Sequence, residues 1–172
     1  MEMDIAFDKC YFDSNVATNT ARNATGGGIR LFLNEECDAN VTFMNCTVAN
    51  NKSVGASGFM HWARCEQGNV NLKFVNNVFY KNRTEGPQAN LITSQKPAPT
   101  VGMSGSFVFV NNTSMMNNTG VDGLVQTDQN AINFSDFGGD FDLVFVNNIM
   151  LDCMIEPIDK GDGTMVDQLG WG

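Results

Sequence analysis

Five copies of one short motif, none with a gap inside it, limit what this chain can fold into more than any other feature of its sequence. They read IAFDKCYFDSN, VTFMNCTVANN, LKFVNNVFYKN, FVFVNNTSMMN and LVFVNNIMLDC. The anchors are Phe7, Phe43, Phe74, Phe109 and Phe145, at spacings of 36, 31, 35 and 36 residues. Internal repetition at such a period is the signature of stacked architectures. Two residues before each anchor stands Ile5, Val41, Leu72, Phe107 or Leu143. An apolar residue at minus two and an aromatic one at zero follow a period of two, which predicts a strand with one face buried.

The columns after the anchor are as regular. Plus two holds Lys9, Asn45, Asn76, Asn111 and Asn147; plus three holds Cys10, Cys46, Asn77, Asn112 and Asn148; plus eight holds Asn15, Asn51, Asn82, Asn117 and Cys153. Asn tolerates the left-handed conformation and bonds nearby backbone, so the Asn pair ends the strand in a turn. A second short strand follows, such as 46–48 or 78–80. A third opens at a glycine in Gly26–Leu31, Gly58–Met60 and Gly123–Val125, and at Ala89–Ile92 in the third repeat. The expectation is all-β: one domain over 1–172, a right-handed parallel β-helix (β-solenoid) of about five coils starting near residues 5, 41, 72, 107 and 143. Each coil has three strands, and surplus residues fall in loops at 16–26, 34–40, 84–89, 94–105 and 128–140. Stacking one strand spacing apart, about 4.8 Å, piles the five phenylalanines into an interior column and sets Asn76, Asn147 and their equivalents into amide ladders. A β-sandwich of unrelated strands has no reason to repeat the same residues in register, and the motif is poor in helix formers.

Stacking also sorts the cysteines. Cys10 and Cys46 share a column in adjacent coils, within reach of a disulfide. Cys37 and Cys65 both precede the next coil's first strand and form a second candidate pair, leaving Cys153 unpaired. These pairings require an oxidising compartment. Sequons point the same way: Asn-x-Ser/Thr occurs nine times, at Asn23, Asn40, Asn45, Asn51, Asn82, Asn111, Asn112, Asn117 and Asn133, a density that favours a secreted glycoprotein. Asn23 and Asn133, in expected loops, are the best acceptors. Asn45, Asn111 and Asn112 belong to the turn ladder, where burial competes with modification. Asn51, Asn82 and Asn117 form either a line of glycans on one edge or an internal ladder. The absence of a sequon at Asn15 favours the ladder.

The Phe-x-x-Asn element at Phe74–Asn77, Phe109–Asn112 and Phe145–Asn148, with Gly27-Gly28-Ile29, resembles the repeats of chlamydial polymorphic outer-membrane proteins. Cys10 and Cys46 stand where that pattern has Asn. The resemblance spans the chain at the level of repeats. It implies the right-handed β-helix fold and, for function, a surface adhesin carried by a membrane barrel; no barrel is visible in this sequence.

A net charge of −9 argues against nucleic acid and anionic membrane surfaces as partners, and no apolar run approaches a membrane span. Right-handed β-helices include polysaccharide lyases and hydrolases, whose sites need paired carboxylates, or a carboxylate beside a base. The acids cluster instead as Glu35, Glu36 and Asp38, as Asp136, Asp140 and Asp142, and as Asp159 and Asp162, none in a column beside a basic residue. His61 is the single histidine, so His-based triads and multi-His metal sites are excluded. No cofactor or metal is expected. Trp62, in His61–Arg64, is a possible sugar-stacking contact. The absence of a capping helix and of a leader suggests a segment of a longer secreted protein, or ends covered by other copies stacked head to tail. The leading expectation is an extracellular structural glycoprotein, a β-helix subunit of a filament, appendage or cell-surface layer. The alternative is an adhesin or carbohydrate-binding β-helix, and the third a polysaccharide lyase or hydrolase.

Overall fold

The computed structural model describes residues 2–18, 26–32, 38–55, 57–63, 68–84, 91–95, 104–115, 117, 132–133, 141–151, 158–159 and 165–166. Among these there is no helix. The first repeat contributes β1 (Glu2–Asp8), β2 (Tyr11–Asp13), β3 (Val16–Ala17) and β4 (Ile29–Phe32). The second contributes β5 (Asp38–Met44), β6 (Thr47–Ala49), β7 (Lys52–Ser53) and β8 (Met60–Ala63). The third contributes β9 (Asn69–Val75), β10 (Val78–Tyr80), β11 (Arg83–Thr84) and β12 (Ile92–Gln95). The fourth contributes β13 (Ser104–Val110), β14 (Thr113–Met115) and β15 (Ile132–Asn133), and the fifth β16 (Phe141–Val146) and β17 (Ile149–Leu151). A short antiparallel pair, β18 (Ile158–Asp159) and β19 (Met165–Val166), follows.

Equivalent strands of successive repeats pair side by side and parallel. The sheet orders are β1-β5-β9-β13-β16, β2-β6-β10-β14-β17, β3-β7-β11 and β4-β8-β12-β15. Register follows the motif columns: Phe7 lies opposite Phe43, Phe43 opposite Phe74, Phe74 opposite Phe109 and Phe109 opposite Phe145. A one-residue slip would turn every apolar column outward, so the period of two locks this alignment. In β5, Ala39, Val41 and Phe43 are buried while Asp38, Asn40 and Met44 are exposed.

A left-handed residue ends the first strand of all five repeats, and another ends the second strand of the first three. At the first turn, Lys9, Asn45, Asn76, Asn111 and Asn147 have φ between 53° and 57°. At the second turn, Ser14, Asn50 and Lys81 have φ of 56°, 55° and 53°. Asn suits this conformation better than most side chains. The second turn was not expected from the sequence, and it corrects the strand count. Each of the first three repeats has four strands rather than three, because a two-residue strand follows the second turn.

The expected loops are trimmed accordingly. Strands occupy 16–17, 38–40, residue 84, 94–95, 104–105 and 132–133. The segment Gly123–Val125 lies outside the described residues, and the strand that pairs with β12 there is Ile132–Asn133.

The core is a continuous aromatic and aliphatic column. Phe43, Phe59, Phe74, Phe79, Phe107 and Phe109 are fully buried. Anchor rings sit 4.7 Å (Phe7–Phe43), 5.0 Å (Phe43–Phe74), 5.8 Å (Phe74–Phe109) and 5.9 Å (Phe109–Phe145) apart. Full burial of such a side chain contributes about 1.5–3 kcal/mol. Gly105 holds a φ of 149° inside β13. A Cβ there would collide with the Val70 backbone carbonyl of the neighbouring strand, so the column that carries Ala39 and Val70 must narrow to glycine at this point.

Candidate functional site

The chemistry this fold concentrates is amide hydrogen bonding, arranged in columns. In the plus-three column, Asn77 donates its backbone N–H and Nδ2 to Asn112 Oδ1 at 2.9 and 3.0 Å, and Asn112 does the same to Asn148 Oδ1 at 2.9 and 3.3 Å. The second Nδ2 hydrogen turns back to the anchor carbonyl of the preceding repeat: Asn77 to Phe43, Asn112 to Phe74 and Asn148 to Phe109, at 3.0, 2.9 and 2.7 Å. Asn77 and Asn112 therefore use both donors, and Asn112 Oδ1 accepts twice. That is the full bonding capacity of an amide, and both residues are 1% exposed.

The plus-eight column repeats the device. Asn15, Asn51 and Asn82 each donate N–H and Nδ2 to the Oδ1 of Asn51, Asn82 and Asn117 respectively. The other Nδ2 hydrogens of Asn51, Asn82 and Asn117 go to the carbonyls of Phe12, Val48 and Phe79. Two residues on, Ser53 Oγ donates to Thr84 Oγ1 at 3.1 Å. Of the two readings of this column, the geometry is that of the internal ladder: Asn51, Asn82 and Asn117 are buried.

A second set of ladders runs on the outside, with the opposite polarity. Asn71 donates to Asn40 and Asn40 to Asp4, at 2.9 and 2.7 Å. Asn76 donates to Asn45 and Asn45 to Asp8, at 2.7 and 2.9 Å. Asn50 donates to Asp13 at 2.8 Å. The amide-to-amide bonds of the interior run toward the C-terminal repeats, whereas the exterior ones run toward the first, where three carboxylates accept. Of the three, only Asp4 stands where the next two repeats carry Asn, at Asn40 and Asn71; Asp8 and Asp13 lie opposite Met44 and Ala49. Asn45 and Asn111, expected in the buried turn ladder, are both exposed. The left-handed turn points plus two outward and plus three inward, so only Asn112 of that group is buried.

Cys10 and Cys46 stack in the plus-three column as expected, bracketed by the pairs Asp8–Met44 and Tyr11–Thr47. The expected disulfide between them is not formed, and both are free thiols. In-register parallel neighbours hold equivalent Cβ atoms about one strand spacing apart, ~4.8 Å, beyond the 3.5–4.5 Å a disulfide prefers. Each thiol instead turns to a carbonyl: Cys10 Sγ to Asp8, and Cys46 Sγ to Met44 and Phe7. Burial pushes the Cys46 thiol above its ordinary pKa, so less of it is thiolate at a given pH, and the thiolate is the nucleophile. At pH 8, a small alkylating reagent is expected to modify half-exposed Cys10 and leave Cys46 untouched until the chain is unfolded. Peptide mass mapping checks this, and equal labelling of the two would contradict the burial of the column.

Cys37, Cys65, Cys153 and Asn23 lie outside the described residues. So do Glu35, Glu36, Asp136, Asp140 and Asp162. Asn133 was expected in a loop and lies instead in β15, opposite Thr93. Trp62 lies within β8, between Leu31 of β4 and Ser94 of β12. Asp38 is exposed and accepts the Asn69 N–H at 2.9 Å. Among the described residues no group of three or more His, Cys, Asp or Glu is placed to hold a metal. No protein family, curated protein or solved structure matches this chain.

Proposed function

We propose that the chain is a right-handed parallel β-helix of about five coils acting as a structural subunit. In this reading it is extracellular, N-glycosylated and joined end to end with further copies in a filament, appendage or surface layer. The four parallel sheets whose neighbours come from successive repeats support the helix, and right-handedness is the rule for parallel crossover connections.

The observation that carries the structural role is the state of the two ends. In the middle repeats Val41, Phe43, Leu72, Phe74, Phe107 and Phe109 are at most 2% exposed. Ile5 and Phe7 in β1, and Leu143 and Phe145 in β16, are only half-buried. Among the described residues β1 and β16 each pair on one side alone. An apolar, in-register strand edge is a template for another strand. A second copy offers the opposite edge with the same columns, and such a heterologous contact propagates rather than closes.

The expected result is concentration-dependent rods of the unglycosylated protein in sedimentation and negative-stain microscopy. Their axial rise per copy should be about 24 Å, five strand spacings. A species that stays monomeric at the highest soluble concentration would count against this role.

A further inference from the structure

The sequons fall into two structural classes, and only one of them leaves room for a sugar. Asn and Ser/Thr in a sequon are two residues apart, so on or beside a strand both tend to share a face. In Asn51/Ser53, Asn82/Thr84 and Asn112/Ser114 both members face inward and are at most 1% exposed; Asn117 is buried likewise. In Asn40/Thr42, Asn45/Thr47 and Asn111/Thr113 the Asn is exposed and the hydroxyl residue is half-exposed.

We propose that the folded chain takes N-linked sugar at Asn40, Asn45 and Asn111, and at none of Asn51, Asn82, Asn112 and Asn117. The inference rests on the extracellular glycoprotein reading for its biological setting, and on geometry for its sites. In the transfer, the anomeric carbon of a phosphate-activated sugar bonds to Nδ2. Its bond to the phosphate oxygen breaks, the phosphate leaves with the electron pair, and Nδ2 yields one of its two protons to the transferase's base. An interior amide has no proton to spare. Asn82 Nδ2 donates one hydrogen to Val48 O and the other to Asn117 Oδ1, both at 2.9 Å. Asn112 Nδ2 is engaged in the same way, with Phe74 O and Asn148 Oδ1. Asn40 and Asn45 each donate one Nδ2 hydrogen, to Asp4 and Asp8, and the hydrogen that remains after glycosylation can keep that bond. Their position on outward ladders lets the glycan leave the surface without touching the core. The inward sequons thus arise from the ladder architecture: a polar pair with a period of two, filled by Asn and Ser/Thr for internal bonding.

The test uses folded, unglycosylated protein made in bacteria, treated with a soluble N-glucosyltransferase and UDP-glucose. Each site's rate is referred to that of a synthetic peptide carrying the same sequon. Glucose is expected at Asn40, Asn45 and Asn111, at relative rates at least about tenfold above those of the four interior sites, which local opening alone exposes. Comparable relative rates at any interior site, or refusal at all three exterior sites, would overturn the assignment. The same preparation tests end-to-end association separately, so a monomeric protein with the expected sugar map would sink the filament reading and leave this one standing.

Discussion

Asn112→Ala is expected to lower stability by at least about 3 kcal/mol, a fall in Tm of roughly 6–12 °C for a chain of this size. The side chain accepts from Asn77 N and Nδ2, and donates to Phe74 O and Asn148 Oδ1. Alanine removes all of these at a position 1% exposed. The Asn77 N–H and the Phe74 carbonyl are then left without this partner where water does not reach. Each orphaned buried group costs about 1–3 kcal/mol, which places the variant near the severe end of point substitutions.

Asn112→Asp keeps the acceptor, loses both donors and buries a charge, so it should be at least as damaging at neutral pH. The informative contrast is Asn76→Gly, one residue before the equivalent Asn77. Asn76 is exposed, sits at φ 57° and donates to Asn45. Glycine keeps that backbone at little cost, and the change should stay below about 1 kcal/mol. Denaturant unfolding followed by circular dichroism reads both. Equal losses at the two positions would mean that the interior amides are not bonded as described.

Phe74→Ala is expected to cost about 3–5 kcal/mol. Phe74 is fully buried at the centre of the anchor column. Its ring stacks on Phe43 at 5.0 Å and 4°, and touches Phe79, Phe107 and Phe109 at 6.1, 5.4 and 5.8 Å. The neighbours belong to strands tied by backbone bonds on both sides, so the cavity cannot close by a local collapse. Phe7→Ala should cost less, about 1–2 kcal/mol. Phe7 is half-buried, and a column that depends on nearest neighbours loses least at its end. Matching costs at the two positions would contradict a graded column with a dry centre.

The repeat made the long strand legible because its two constraints are chemical. An inward column must be apolar, and the turn that follows must accept a left-handed residue. The alignment of Phe7, Phe43, Phe74, Phe109 and Phe145 follows from these, and the structure pairs them in that register. The second turn left no mark, because Ser14, Asn50 and Lys81 share a backbone conformation and no side-chain chemistry. The two-residue strands after it are too short to display a period.

The Asn-Asn dipeptide was ambiguous for a related reason. Composition does not say that the first residue points out and the second in, and only that distinction separates Asn111 from Asn112. The cysteine column has the expected register but not the expected bond. Cα spacing alone admits a disulfide, whereas parallel Cβ vectors hold the sulfurs' attachment points too far apart. Sequons carried the same hazard: at Asn51, Asn82 and Asn112 the pattern that signals a glycan is also the pattern of an inward polar ladder.

The proposed β-helix requires the repeats to stack one strand spacing apart along a single axis. Spin labels introduced by non-cysteine chemistry at Ala6, Thr42, Lys73, Val108 and Val144 test it directly, because these positions form one outward column on the first sheet. The labelled protein is diluted into unlabelled protein so that contacts between copies do not contribute. Pulsed dipolar distances should grow linearly with repeat number, from about 10 Å for two spacings to about 19 Å for the four between Ala6 and Val144. Distances that fail to scale with repeat number, or an Ala6–Val144 pair no farther apart than neighbouring repeats, would contradict the stack.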